Sequence, residues 1–205
     1  MIAVPNTSKS TANLVRMPFI YPASLCLEKK TPIILEIGPG RGDFLFHLAE
    51  NNPNAAVVGI EIKPKRTDKL IKRVQDRDLK NAVIIQDDAR LALPRHFKEY
   101  SVDSIYINFP DPWPKRRHEK NRVLSREFLN ECCHVLKLYG KLNIATDHEP
   151  YASDVAASVS CVPQLETCFP EVLARESPEA YPTYFAQKWI SMGRQIYYQK
   201  YQRTI

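Results

Sequence analysis

A short apolar run that breaks at once into glycines restricts this chain most. Ile33–Ile37 (IILEI) is followed directly by Gly38-Pro39-Gly40-Arg41-Gly42. The run is too short for a helix and too apolar for a half-exposed strand. It reads as a strand buried on both faces, the kind found in parallel sheets. Residues 43–51 then carry Phe44, Leu45, Leu48 and Ala49 at helical spacing and end at Asn51-Asn52-Pro53-Asn54. The pattern repeats downstream. Strands are predicted at residues 56–62, 82–86, 102–108 and 141–146, and a late alternating strand at residues 194–201. Helices are predicted at residues 64–78, with proline in the first turn, at 125–138, stopped by Tyr139-Gly140, and at 149–160. Strands and helices alternating at this spacing specify an α/β fold, a mostly parallel sheet with helices on both faces. In such sheets ligands bind beyond the carboxyl ends of the strands.

The glycine loop alone fits a dinucleotide fingerprint, a loop for S-adenosylmethionine, or a plain turn. Two details separate these. Asp43 stands where a dinucleotide fingerprint needs its third glycine, and Glu36 sits inside the strand end that faces the loop. A carboxylate there repels a pyrophosphate. It suits a cofactor that carries an ammonium and a sulfonium and no phosphate. Gly38, Gly40 and Gly42 would let the backbone approach that ligand. Glu61, 19 residues after Gly42, is placed to take both ribose hydroxyls of a nucleoside. Of Asp87 and Asp88, Asp88 is the better candidate for the adenine edge, with Asp87 capping the next turn. Acids in order at three strand ends say more than any one of them.

The fourth strand runs into Asn108-Phe109-Pro110-Asp111-Pro112-Trp113-Pro114-Lys115-Arg116-Arg117-His118. Three prolines around Asp111 restrict the backbone and hold a carboxylate beside the cofactor pocket. Trp113 offers a flat surface for a base or a wall to close the pocket. Residues 113–122 hold five cations, Lys115, Arg116, Arg117, Lys120 and Arg122, against one acid, Glu119. That density reads as a phosphate-binding strip, in keeping with a net charge of +6. Residues 63–80 hold eight cations and three acids; they read as an amphipathic helix with Leu70, Ile71 and Val74 inward and a solvated basic face, with a supporting RNA contact left open.

FPDPWPKRRH closely resembles the FPDPWxKxRHxKRR signature of the bacterial tRNA (guanine-N7)-methyltransferases. The glycine loop, Glu61, Asp88, Ala145-Thr146-Asp147 and Thr183-Tyr184-Phe185-Ala186-Gln187-Lys188 follow in matching order, from about residue 33 to the C-terminus. The resemblance implies a Rossmann-like, seven-stranded, class I S-adenosylmethionine-dependent methyltransferase fold. It implies methylation of N7 of guanosine 46 in the tRNA variable loop, with S-adenosylhomocysteine as product. It places Glu36, Glu61, Asp88 and Asp111 on the cofactor, and Lys115, Asp147 and the Thr183 segment on the substrate. Asp111 would be catalytic, and Arg116, Arg117, His118, Lys120 and Arg122 would touch RNA. Ala186 stands where the family has a glutamate, and Asn121 where an arginine is common.

Residues 1–31 are expected to form a loose N-terminal arm and residues 32–205 a single domain. The five cysteines are odd in number and contain no CxxC pair, so reduced and mainly buried thiols are expected. The five histidines show no HxxxH or HxH pairing, and no metal is expected. No apolar run approaches the roughly 18 residues of a membrane span. A cytoplasmic monomer or homodimer is expected. Three rivals remain: a small-molecule methyltransferase or aminopropyl transferase, a non-catalytic RNA-binding module, and a nicotinamide-dependent oxidoreductase. The first leaves the cations beside Asp111 unexplained, the second the ordered acids, the third Glu36.

Overall fold

The computed structural model describes residues 19–21 and 31–205; the rest of the expected arm, with Cys26, lies outside the described residues. The central strand, β2 (Ile33–Ile37), is buried along its whole length. It pairs in parallel with β3 (Ala56–Ile60) on one side and β5 (Val102–Asn108) on the other. β4 (Ala82–Gln86) continues the parallel array beyond β3, and β6 (Leu136–Thr146) continues it beyond β5. β8 (Tyr197–Arg203) runs antiparallel to β6, and β7 (Leu165–Thr167) antiparallel to β8. These seven strands are the mostly parallel sheet read from the sequence. A short eighth strand, β1 (Phe19–Tyr21), pairs antiparallel with β4 at the edge, inside what was read as an irregular arm.

Successive β2 side chains point to opposite faces, so one strand feeds two cores. Ile34 packs with α1 (Asp43–Asn51) and α2 (Pro64–Asp76), through Phe44, Leu45, Leu48, Leu70 and Val74. Ile33, Leu35 and Ile37 pack on the other face with α3 (Ala89–His96), α4 (Arg126–Val135) and α5 (Glu149–Val159). The basic face of α2 is solvated, opposite buried Leu70 and Val74. No described helix is long and apolar enough to cross a membrane.

The strand order is β1-β4-β3-β2-β5-β6-β8-β7, so the chain leaves β2 toward β3 and later returns to its other side as β5. That reversal opens a crevice above the carboxyl ends of β2 and β5. Both the glycine loop and the proline-rich segment leave from those ends.

Several boundaries differ from the sequence reading. The helix expected to reach residue 138 stops at Val135, and the next strand already begins at Leu136, which pairs with Val102. The following pair is Ser104 with Lys141, so residues 137–140 bulge out of the ladder. Tyr139 takes a left-handed φ of 65°, and a Cβ on Gly140 would meet the Lys137 carbonyl at 2.9 Å. Tyr139-Gly140 is therefore a bulge inside a strand and not a helix stop. The last long strand begins at Tyr197, not Arg194, because Gly193 (φ 72°) turns the chain first. α3, which contains Pro94, was not expected, nor was α6 (Tyr184–Ser191). Cys132 and Cys133 are buried in α4, but Cys161 and Cys168 are exposed, so mainly buried thiols hold only for that helix.

Candidate active site

The glycine loop is pinned at its base by Gly38 N–H donating to the Ile60 carbonyl (2.9 Å). Gly38, Gly40 and Gly42 have φ of 71°, 57° and 82°, conformations that L side chains adopt only under strain. Gly38 and Gly40 line the crevice. Gly42 does not line it and is required for packing: a Cβ there would lie 2.5 Å from Leu70 and 2.6 Å from Phe46. Asp43 opens α1 and is held by Arg73 (3.1 Å), whose guanidinium also donates to the Arg41 carbonyl.

Glu36 is only 3% exposed, and its Oε2 has no hydrogen-bond partner. Burial pushes its carboxyl up to about 8; Asn108, on neighbouring β5, bonds to it and opposes that rise, while Asp43 adds to it. A buried carboxyl with one unmet oxygen beside an open cavity is a group that a cationic donor would ionise and pair with. Glu61, at the next strand end, is equally buried. Its Oε1 accepts from the Lys63 amide (2.9 Å), its Oε2 is unpartnered, and Arg66 stands 3.9 Å away. The unpartnered oxygen of Glu36 beside the glycine cradle fits a cationic nucleoside ligand, with Glu61 at the neighbouring strand end.

Asp88 departs from its expected setting. It, and not Asp87, caps the following helix, accepting from the Arg90 amide at 3.0 Å. Arg90 also grips both of its oxygens, at 2.5 to 3.2 Å. Burial works to raise its pKa, but these bonds hold it below the usual carboxylate range. Asp87 bonds to Arg95 (3.1 Å) and to the Asp88 amide (2.8 Å).

The segment after β5 is held from both sides. Phe109 N–H donates to the Ala145 carbonyl of β6 (2.8 Å). Phe109 and Trp113, each preceding a proline, take left-handed φ of 52° and 42°. Such backbone costs about 1–3 kcal/mol per residue and persists only where the surroundings impose it. Asp111 lies between them, exposed at the mouth of the crevice. Trp113 does not line the cavity; it packs edge-on against His118, with ring centroids 5.7 Å apart. Lys115, Arg117 and Lys120 are exposed in or beside a 3-10 helix (Arg116–Asn121); the side chain of Arg116 is outside the described part. Arg122, read as an RNA contact, is instead turned inward. Its side chain is 12% exposed; Nε donates to the Pro112 carbonyl (2.8 Å), Nη1 to Asp154 of α5 (2.6 Å), and the guanidinium lies over the Tyr151 ring. With those donors spent, it ties the residue after Asp111 to α5.

The opposite wall comes from far along the chain. Asp147 follows β6, is 11% exposed and pairs with Arg194 (2.6 Å). Thr183 caps α6, its Oγ1 accepting from the Ala186 amide (3.0 Å). These walls enclose a cavity of about 290 Å³. Glu36, Gly38, Gly40, Asp111, Asp147 and Thr183 all line it; Gly42, Glu61, Asp88 and Lys115 do not. Sequence reasoning missed Asn108, Arg66, Trp189 and Arg194, which line it too, as does Phe185 of the Thr183 segment. Arg194 is 47 residues from Asp147, and no local spacing announces such a pair.

The sequence matches, over residues 30–199, the family described as "Putative methyltransferase". It is 36% identical over 185 residues to a tRNA (guanine-N(7)-)-methyltransferase of Thermotoga maritima, covering 90% of this chain and 58% of that protein. It is 32% identical over 174 residues to a tRNA (guanine-N(7)-)-methyltransferase of Geobacter metallireducens, covering 84% and 82%. The chain thus spans little more than half the length of the Thermotoga relative. The fold resembles that of the 16S rRNA methyltransferase KamB, with a TM-score of 0.64 at 15% identity, over 86% of this chain and 90% of that one.

Proposed function

This chain belongs to the bacterial tRNA (guanine-N7)-methyltransferase family, and on that premise we propose that it methylates N7 of guanosine 46 in the tRNA variable loop, using S-adenosylmethionine. One observation carries the reading: a single cavity brings the buried carboxyl of Glu36, one oxygen of which has no partner, together with Asp111 and Asp147. When bound, S-adenosylmethionine supplies an electrophilic methyl group on a sulfonium. Glu36, the glycine loop and Glu61 would hold it, with Asp88 available at the adenine end only if Arg90 shares it.

N7 of guanine has a lone pair and no proton, so no general base is required. The protein's task is orientation and electrostatics. Positive charge grows on the purine as the bond forms. Asp111 and Asp147, which follow the neighbouring strands β5 and β6, both line the cavity and would stabilise that charge or accept hydrogen bonds from N1 and N2. Arg194 holds the Asp147 carboxylate in place. The target base must leave its stack to reach this depth. Lys115, Arg117 and Lys120 would hold phosphates outside.

The direct test is transfer of labelled methyl to unmodified tRNA carrying guanosine or adenosine at position 46. Transfer that vanishes with adenosine supports reaction and site together; transfer that persists removes the position; none to any tRNA, with cofactor bound, favours a small-molecule substrate. Salt dependence separates the cations. Arg117→Ala with Lys120→Ala should flatten the log–log slope of tRNA binding by roughly 1–2, at about 0.7–0.9 per phosphate contact. Arg122→Lys should leave that slope unchanged and lower turnover instead, about 10-fold, by loosening the loop that carries Asp111. A slope reduced by Arg122→Lys would return it to the RNA strip.

A further inference from the structure

α6 is an eight-residue helix with one buried side chain, Ala186. The hydrophobic effect therefore does little to hold it, yet its outer surface is aromatic and apolar. Tyr184 is 44% exposed, Phe185 38% and Ile190 59%. Phe185 and Trp189, one helical turn apart, have ring centroids 6.3 Å apart at 25°. Phe109, beside the Asp111 loop, extends the row at 6.4 Å from Phe185. All three rings line the cavity, and the exposure of Phe185 and Tyr184 carries the aromatic surface to solvent at its edge.

Cations rim these rings. Arg41 lies 4.3 Å over Tyr184, and Lys188 and Arg194 lie 4.6 and 4.3 Å over Trp189. No acidic residue follows Glu179 in the chain. Asp147 pairs with Arg194 and Asp43 with Arg41, but both acids precede α6 and the helix itself carries none. Aromatic faces beside guanidinium and ammonium groups match the two surfaces of a single-stranded nucleic acid, flat bases on an anionic backbone.

We propose that the outer face of α6, with Phe109, is a stacking platform for the unpaired RNA bases that flank the target nucleotide. The proposal rests on the tRNA reading above. It assigns Phe185, Trp189 and Tyr184 a task distinct from holding the methylated base: they grip its neighbours and so keep it turned out.

The test is equilibrium binding of unmodified full-length tRNA, intact or with abasic residues on both sides of the target guanosine. It uses the full chain and its Trp189→Leu, Trp189→Phe and Tyr184→Leu variants. Trp189→Leu should weaken intact tRNA roughly 5- to 100-fold, the usual range for one stacked base. Trp189→Phe should keep most of the affinity, and cofactor affinity, measured separately in each variant, distinguishes damage to the shared cavity from loss of stacking. The abasic tRNA should bind the unsubstituted chain weakly and lose little more on Trp189→Leu. Losses that simply add, or a Trp189→Phe as weak as Trp189→Leu, overturn the platform. If Trp189→Leu also loses the cofactor, Tyr184→Leu, at an exposed ring, decides by the same comparison. An unsubstituted chain that shows this coupling yet transfers no methyl leaves the platform standing and removes the methyltransferase reading. Transfer with no coupling removes the platform alone.

Discussion

Asp111→Ala should lower methyl-transfer turnover by about 10²–10³-fold, the range seen when one preorganised electrostatic partner is removed from a reacting centre. Affinity for tRNA should stay within a few-fold, because the proposed phosphate contacts are Lys115, Arg117 and Lys120. The structure gives the reason. Asp111 sits between two pre-proline residues in left-handed backbone, and the Arg122 guanidinium clasps the next carbonyl. Such restriction on an exposed loop is what holding the Asp111 side chain in one direction would require. Single-turnover rates with labelled cofactor, beside filter binding of tRNA, separate the two quantities. Asp111→Asn refines the result: near-normal turnover would mean the oxygen accepts a hydrogen bond, and a loss as deep as alanine's would mean the negative charge is what counts. A defect confined to tRNA binding would remove Asp111 from the chemistry.

The second large effect concerns Glu36 and protons. Unfolded, its carboxyl titrates near 4.5; folded, burial raises it to about 8. Between those values the unfolded chain has given up the proton and the folded chain keeps it. Stability from this group is therefore full below about pH 4.5 and falls as pH rises toward 8. The loss amounts to a few kcal/mol, at about 1.4 kcal/mol per pH unit. Glu36→Gln should abolish that slope and make the protein more resistant to urea at pH 8 than the unsubstituted chain. A cationic ligand in the cavity favours the ionised form and so expels the proton. Calorimetry near pH 7 should then show close to one proton released on binding S-adenosylmethionine, seen as a heat that depends on the buffer. Glu36→Gln should remove the release and weaken binding roughly 10–100-fold, the worth of a hydrogen bond to a charged group. A buffer-independent heat would mean that Glu36 stays neutral and does not meet the cation.

Much of this was legible along the chain. β2, β4 and β5 and the start of α1 follow from local pattern, because burial on both faces leaves an uninterrupted apolar run and a helix leaves a periodic one. Tyr139-Gly140 misled for an instructive reason: a glycine after a helical pattern signals a cap, but here the strand had already begun at Leu136 and the glycine serves a bulge. α6 left no periodic apolar trace, since it buries a single residue. Pro94 hid α3.

The candidate site divides the same way. Glu36, Asp111 and the glycines could be named in advance, because their chemistry depends on a strand end, a loop and proline, all encoded within a few neighbouring residues. Arg122 could not be assigned. In the sequence it is one more cation in a basic run; in the fold, Pro112, Tyr151 and Asp154 converge on it and hold it inward. Asp88 likewise looked like a free acid until Arg90 folded back onto it. The sequence alone determined the alternation of elements, the acids at their ends and the family. Tertiary structure alone decided which charges are free and which are spent. Whether a charged side chain meets solvent, ligand or another residue depends on contacts across tens of residues, and those exist only once the chain has closed on itself.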